Sequence, residues 1–242
     1  HFNGSASQII AESNFHNIHF EETGKKSAIG PLTIDGDVEI ESNFDGGDFS
    51  HTVGGNWNQT QTGTFYANSG KIIFDNTSEK EFVGNVELNI LQINSKSRIA
   101  IKESSSVILR DSLMENGYIS GTIIKSQRIS QSGVSYLFGG IGAEIYAPDD
   151  NDTLGLVTIQ RKSGKVPPNF DSSHAVERWY KIFSEKKTSS NAEFQFHYDV
   201  QERNEQTDSL IKFWKSVDNE ISWKRIPMSI KDAQANVVSY TG

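Results

Sequence analysis

Cysteine is absent from this 242-residue chain, which excludes thiol catalysis, thiolate metal sites and disulfide staples. Stability must come from packing and from hydrogen bonds between strands. Methionine (2 residues) is scarce, alanine and leucine are sparse, and helical spacing of apolar residues is nowhere sustained, so helices are not expected. No apolar run approaches the roughly 20 residues of a membrane-spanning helix, and membrane insertion is not expected. The opening residues, HFNGSASQII, have neither the basic nor the apolar region of a signal peptide and no initiator Met, so the sequence reads as a mature or excised piece. Basic charge is also short. With 23 Lys and Arg against 31 Asp and Glu, the net charge is −8, the opposite of a nucleic-acid footprint. The doublets Lys25-Lys26 and Lys186-Lys187 read as solvated turn residues.

What is present favours strands. Ser, Asn, Thr, Gly, Ile, Val and Phe dominate, the mix of a pleated, half-buried surface. In the first half, short strands such as LTIDGDVEI (residues 32–40), KIIFDN (71–76), SRIAIKE (97–103) and SSVILRD (105–111) are punctuated by polar turns. Leu32, Ile34, Val38 and Ile40 alternate with Thr33, Asp37 and Glu39, and Asp35-Gly36 between them reads as a tight turn. His1–Ile10 resembles Ile73–Phe82, with Phe2 matched to Phe74. FHNIHF (15–20) resembles LNILQI (88–93), and PLTIDGDVEI resembles RIAIKESSSVIL. A repeat near 70 residues follows, whose copies would stack into one core.

Around residues 131–142 the texture changes to a glycine cluster (Gly139, Gly140, Gly142) and longer aromatic strands. The expected division is a β-strand repeat domain over 1–133 and an immunoglobulin-like β-sandwich over 134–242, in an all-β chain of stacked-strand, solenoid or sandwich-like, character. Seven strands are expected in the second part, among them GAEIYA (142–147), LVTIQRK (156–162), ERWYKIF (177–183) and AEFQFHYD (192–199). Phe194, Phe196 and Tyr198 share the core face of the last. LIKFWKSVDNEISWKRI (210–226) reads as a hairpin turning at Asp218-Asn219, with Trp214 and Trp223 in the sandwich core.

The order FNGSASQII, NIHF, LTIDGDVEI, GGNWNQTQTGTFYANSGKIIFDN, then GGIGAEI, RWYKIF, LIKFWKS and SWKRI, resembles the giant repetitive surface proteins and adhesins that Bacteroidota export through the type IX secretion system. The resemblance covers nearly the whole chain. It implies an extracellular, cell-surface module without enzymatic activity or cofactor, whose partners are neighbouring domains of the same polypeptide, the type IX machinery, and surface glycans or other cells. A C-terminal sorting domain would have to lie downstream. Three Asp-Ser/Thr-Leu triplets resemble the O-glycosylation acceptor of such proteins. They place glycans at Ser112, Thr153 and Ser209, each beside an expected turn.

Other chemistry finds little support. The acidic loop Asp149, Asp150, Asn151, Asp152 gathers hard oxygens suited to Ca²⁺ but lacks EF-hand spacing, and it reads as a solvated turn, as do Asp45 and Asp48. His16 and His19, at i, i+3 on a strand, would point to opposite faces and not share a metal. There is no H-E-x-x-H and no G-x-S-x-G. The second functional reading is a carbohydrate-binding module of a secreted polysaccharide-degrading protein, motivated by Trp57, Tyr66, Trp214 and Trp223 if their faces are exposed. With Trp214 and Trp223 expected in the core, it rests on Trp57, in a glycine-rich stretch that reads as a loop, and Tyr66.

Overall fold

The computed structural model describes residues 1–170, 175–186, 191–203, 214–226, 230–232 and 236–241. The chain divides into two compact units, His1–Ile124 and Lys125–Gly242. Among the described residues both are built of strands, with helical structure limited to short 3-10 turns.

Unit 1 is a parallel β-solenoid of about six coils. One face carries β1 (Gln8–Ile10), β4 (Lys26–Ala28), β7 (Asn43–Asp45) and β10 (Thr64–Tyr66). The second carries β2 (Ser13–Phe15), β5 (Leu32–Ile34), β8 (Ser50–Val53), β11 (Lys71–Phe74), β13 (Asn85–Ile93) and β15 (Ser106–Glu115). The third carries β3 (Ile18–Phe20), β6 (Val38–Ile40), β9 (Trp57–Gln59), β12 (Lys80–Val83), β14 (Arg98–Ile101) and β16 (Tyr118–Ile129), the last of which runs on into unit 2. In β13 the strand continues where earlier coils turn a corner, and its register with β15 shifts between Leu88 and Ile90.

Register explains the composition. On the second face Ile34 lies beside Val53, Val53 beside Phe74, and Phe74 beside Ile93, all buried. On the third, Ile18, Val38, Trp57, Phe82 and Ile101 form the matching inward column. Each coil alone could not bury these side chains, and each neighbour removes them from water. The corners are held by short polar residues. Asn17 Oδ1 accepts from the Asp37 N–H (2.8 Å), Asp37 Oδ1 from the Asn56 N–H (2.7 Å), and Asn56 Oδ1 from the Glu81 N–H (2.9 Å). One Asx side chain per coil thus satisfies a backbone donor of the next, which is what a corner outside the sheet ladder requires.

The repeat is the coil, not a 70-residue block. Paired residues lie about 20 positions apart, as in Ser13 with Leu32 and Ile18 with Val38. Phe2 bridges Phe20 on the third face whereas Phe74 stands on the second, so the two are not equivalent. Likewise residues 15–20 cross from β2 to β3, while 88–93 stay within β13. The turn at Asp35-Gly36 is a corner between two faces and not a link between paired strands, because β5 and β6 do not pair. Lys26 also departs from its expected solvation. It is fully buried, and its ammonium donates to the carbonyls of Gly4 (3.2 Å), Glu22 (3.3 Å) and Glu21.

Unit 2 is antiparallel. β17 (Val134–Leu137), β18 (Ala143–Ala147), β21 (Glu193–His197), β25 (Val237–Thr241) and β24 (Ile230–Asp232) form one sheet in that order. β19 (Gly155–Ser163) and β20 (Arg178–Ser184) pair with each other. The Tyr180 hydroxyl, on β20, donates to the carbonyls of Gly142 and His197, each at 2.9 Å, and so ties β20 to the five-stranded sheet. Phe196 and Tyr198 are buried, with Phe194 half-buried beside them. β22 (Trp214–Lys215) and β23 (Lys224–Arg225) form the expected hairpin, and Asn219 and Glu220 take left-handed conformations in its turn.

Candidate functional site

Coil stacking brings together residues that the sequence keeps about 20 apart. In β3, Ile18 and Phe20 face inward, so His19 between them faces out. Its register partner in the next coil is Glu39. Glu21 and Glu41 stand two residues further on, just past the ends of the same two strands. His1 precedes Phe2, the bridge partner of Phe20, and its ring packs edge-on to that of His19 with centroids 4.9 Å apart. His19 Nε2 lies 3.8 Å from Glu39 Oε2 and 3.6 Å from Glu41 Oε1, and His1 Nδ1 lies 3.4 Å from Glu21 Oε1. Nε2 of His19 is shielded from water and has no hydrogen-bond partner. Glu39 is held from behind, since its other oxygen, Oε1, accepts from Asn58 Nδ2 at 3.4 Å. Further along this face an open depression is lined by Asp37, Glu39, Asn56, Asn58 and Glu81.

This group was not visible in the sequence. His16 and His19 do not lie on one strand, because the chain turns a corner between β2 and β3. What brings the group together is the coil-length spacing of His19 to Glu39 and of Glu21 to Glu41.

A second polar cluster is internal to unit 2. Arg178 Nε lies 2.6 Å from Glu202 Oε2, with both side chains almost wholly buried, and Arg161 is buried as well. Burial pushes the Glu202 carboxyl up, against the pull of Arg178, the Asp199 N–H and Arg161. Burial likewise raises the Tyr180 phenol. Glu202 closes a capping box, accepting from the Asp199 N–H at 2.8 Å, so the cluster fixes a turn rather than facing a cleft.

The sequence-derived site residues are placed as follows. Trp57 is not in a loop. It lies in β9, 1 % exposed, stacked on Phe82 (5.8 Å, 3° between planes) and edge-on to Phe65 (5.1 Å), because its position falls on the inward column. It has no face to offer a sugar. Tyr66 is exposed on β10. Trp214 is exposed and Trp223 half-buried, so neither is core; both pack edge-on against Phe170, and Trp223 Nε1 donates to the Pro168 carbonyl at 2.8 Å.

Ser112 is not beside a turn but inside β15, half-buried. Thr153 is buried; its hydroxyl donates to the Asp150 carbonyl and accepts from Lys186 Nζ, both at 2.9 Å. Ser209 lies outside the described residues, as does the side chain of Asp152. Asp149 caps the 3-10 turn at Asp150–Asp152 by accepting from the Asn151 N–H (2.8 Å), and Asp150 accepts from Ser132 Oγ (2.7 Å). Asp45 and Asp48 do more than face water. Burial alone would raise Asp45, but Lys25, Gly47 and Asn68 together hold it low, and Asp48 is lowered by hydrogen bonds from the Ser69 hydroxyl and N–H.

No family model, curated protein or solved structure matches the chain.

Proposed function

We propose that the chain is a non-enzymatic structural or adhesive segment of a large protein exported to the surface of a Bacteroidota bacterium by the type IX route. In this reading unit 1 is a rigid spacer and unit 2 an immunoglobulin-like sandwich. The observation that carries the reading is the filled interior of the solenoid. Its inward columns run from coil to coil through Phe20, Phe74, Phe82 and Trp57, and the backbone hydrogen bonds lie along the stack. Such a body resists bending and needs no ligand to fold. In the described residues no helix is long and apolar enough to cross a membrane.

The partners of this reading are neighbouring domains and surface glycans or other cells. Of the three proposed glycan acceptors, Ser112 is half-buried with its hydroxyl donating to Asp111 Oδ2 at 3.3 Å, and the hydroxyl of the buried Thr153 is engaged within the fold. The test is to shave intact cells of the native host with protease and identify released peptides, in parallel with a strain lacking a type IX component. Peptides from this chain on wild-type cells only are the expected result. Recovery from the cytoplasm, or polysaccharide cleavage by the purified chain, overturns the reading.

One observation favours a carbohydrate-binding module instead: the exposed Trp214 beside Trp223 and Phe170, since an exposed indole face can stack on a sugar ring. Retardation in polysaccharide-containing gels that is lost in Trp214→Ala would select it.

A further inference from the structure

We propose that His19, Glu39 and Glu41 bind a divalent transition-metal ion, zinc by preference, on the outward side of the first two coils. The inference is independent of the cell-surface reading.

Three features point to an ion. The first is separation. An ion held by bonds of about 2.1 Å in tetrahedral geometry spaces its ligand atoms about 3.4 Å apart. The two His19 to carboxylate distances are 3.6 and 3.8 Å, and the three ligand atoms lie within 4.8 Å of one another. Both distances are too long for a hydrogen bond and close to what a shared cation between the atoms demands.

The second feature is the state of Nε2. A nitrogen shut off from water with no hydrogen bond, facing two carboxylates, is an incomplete arrangement. A cation at its lone pair completes it. The third is support from behind. Asn58 holds Glu39 Oε1 and leaves Oε2 toward His19, as an outer partner does for a metal-ligating carboxylate.

The ligand chemistry selects the class of ion. One imidazole nitrogen with two carboxylates suits Zn²⁺ and its neighbours, whereas Ca²⁺ needs six to eight oxygens and Mg²⁺ retains most of its water. The fourth position falls to water or to His1 or Glu21, which form a second such group with His19. Because His19 belongs to one coil and Glu39 and Glu41 to the next, the ion would clamp the first two coils together.

The experiment uses the full chain, stripped with chelator. Calorimetric titration with ZnCl₂ should show one tight site, with a saturable rise in melting temperature. Co²⁺ should give the visible absorption of a four-coordinate ion with nitrogen and oxygen ligands. His19→Gln and the exposed Glu41→Gln should each lose the site and the thermal shift, while His16→Gln keeps both. Circular dichroism of the variants confirms that they are folded. Absence of zinc binding, binding retained in folded His19→Gln, or an equal response to Ca²⁺ overturns the proposal.

Discussion

His51, like Lys26, is a residue at which the solenoid's interior departs from hydrocarbon. It lies beside Ile72 on the inward side of the second face and is 3 % exposed. Its Nδ1 accepts from the Leu32 N–H (3.1 Å), so Nε2 carries the proton and donates to the Gly46 carbonyl (2.7 Å). Both nitrogens are satisfied only in the neutral ring. Burial holds its pKa below the usual histidine value, partly opposed by the Gly46 carbonyl. In the unfolded chain the ring titrates near 6.5. Below that pH the unfolded state takes up a proton that the native state refuses, so stability is full above about 6.5 and falls as pH drops toward the native pKa. His197, also lowered by burial, contributes in the same direction. Urea unfolding at a series of pH values should therefore show stability declining below about 6.5, with a shallower decline in His51→Gln. An unchanged slope in that variant would assign the effect elsewhere.

At the scale of the element, the unit of structure is a three-residue strand followed by a corner. Each strand alternates inward and outward positions, and stacking, not length, makes it stable. This is why a 70-residue repeat looked plausible in the sequence: any strand-corner-strand segment resembles another even when the two are out of phase by one face. Phe2 and Phe74 are both aromatic and inward-facing, but on different sheets. Trp57 shows the cost of reading locally. Gly54, Gly55 and Asn56 before it belong to the corner, while the tryptophan itself fills the column between Val38 and Phe82. Trp57→Ala should cost about 3–5 kcal/mol, the range for deleting a buried large aromatic. Chemical denaturation is the measurement. A loss under 1 kcal/mol would show that the column does not need it. Gly84 belongs to the same class of constraint, since at φ +115° an added Cβ would lie 2.7 Å from the Gln59 carbonyl oxygen of the preceding coil.

At the scale of the molecule, two compact units of different strand geometry follow one another, parallel coils first and antiparallel sheets second. Far-ultraviolet circular dichroism of the whole chain should show a strand spectrum without the paired minima of helix, and marked helical signal would contradict both units. The β-rich composition and the alternation in 32–40 or 192–199 were enough to establish the all-β class and several strand positions. They are local properties, set by how each residue suits a pleat or a turn. Register is not local. Which strand lies beside which depends on how many residues each corner takes, and that sum is visible only when the coils close. Register buried Trp57, placed Ser112 inside a strand, drew Lys26 into a cage of carbonyls, and set His19 against Glu39 and Glu41 across a coil boundary. In sequence His19 lies far from Glu39 and Glu41, and the roughly 20-residue circuit of the solenoid joins it to them.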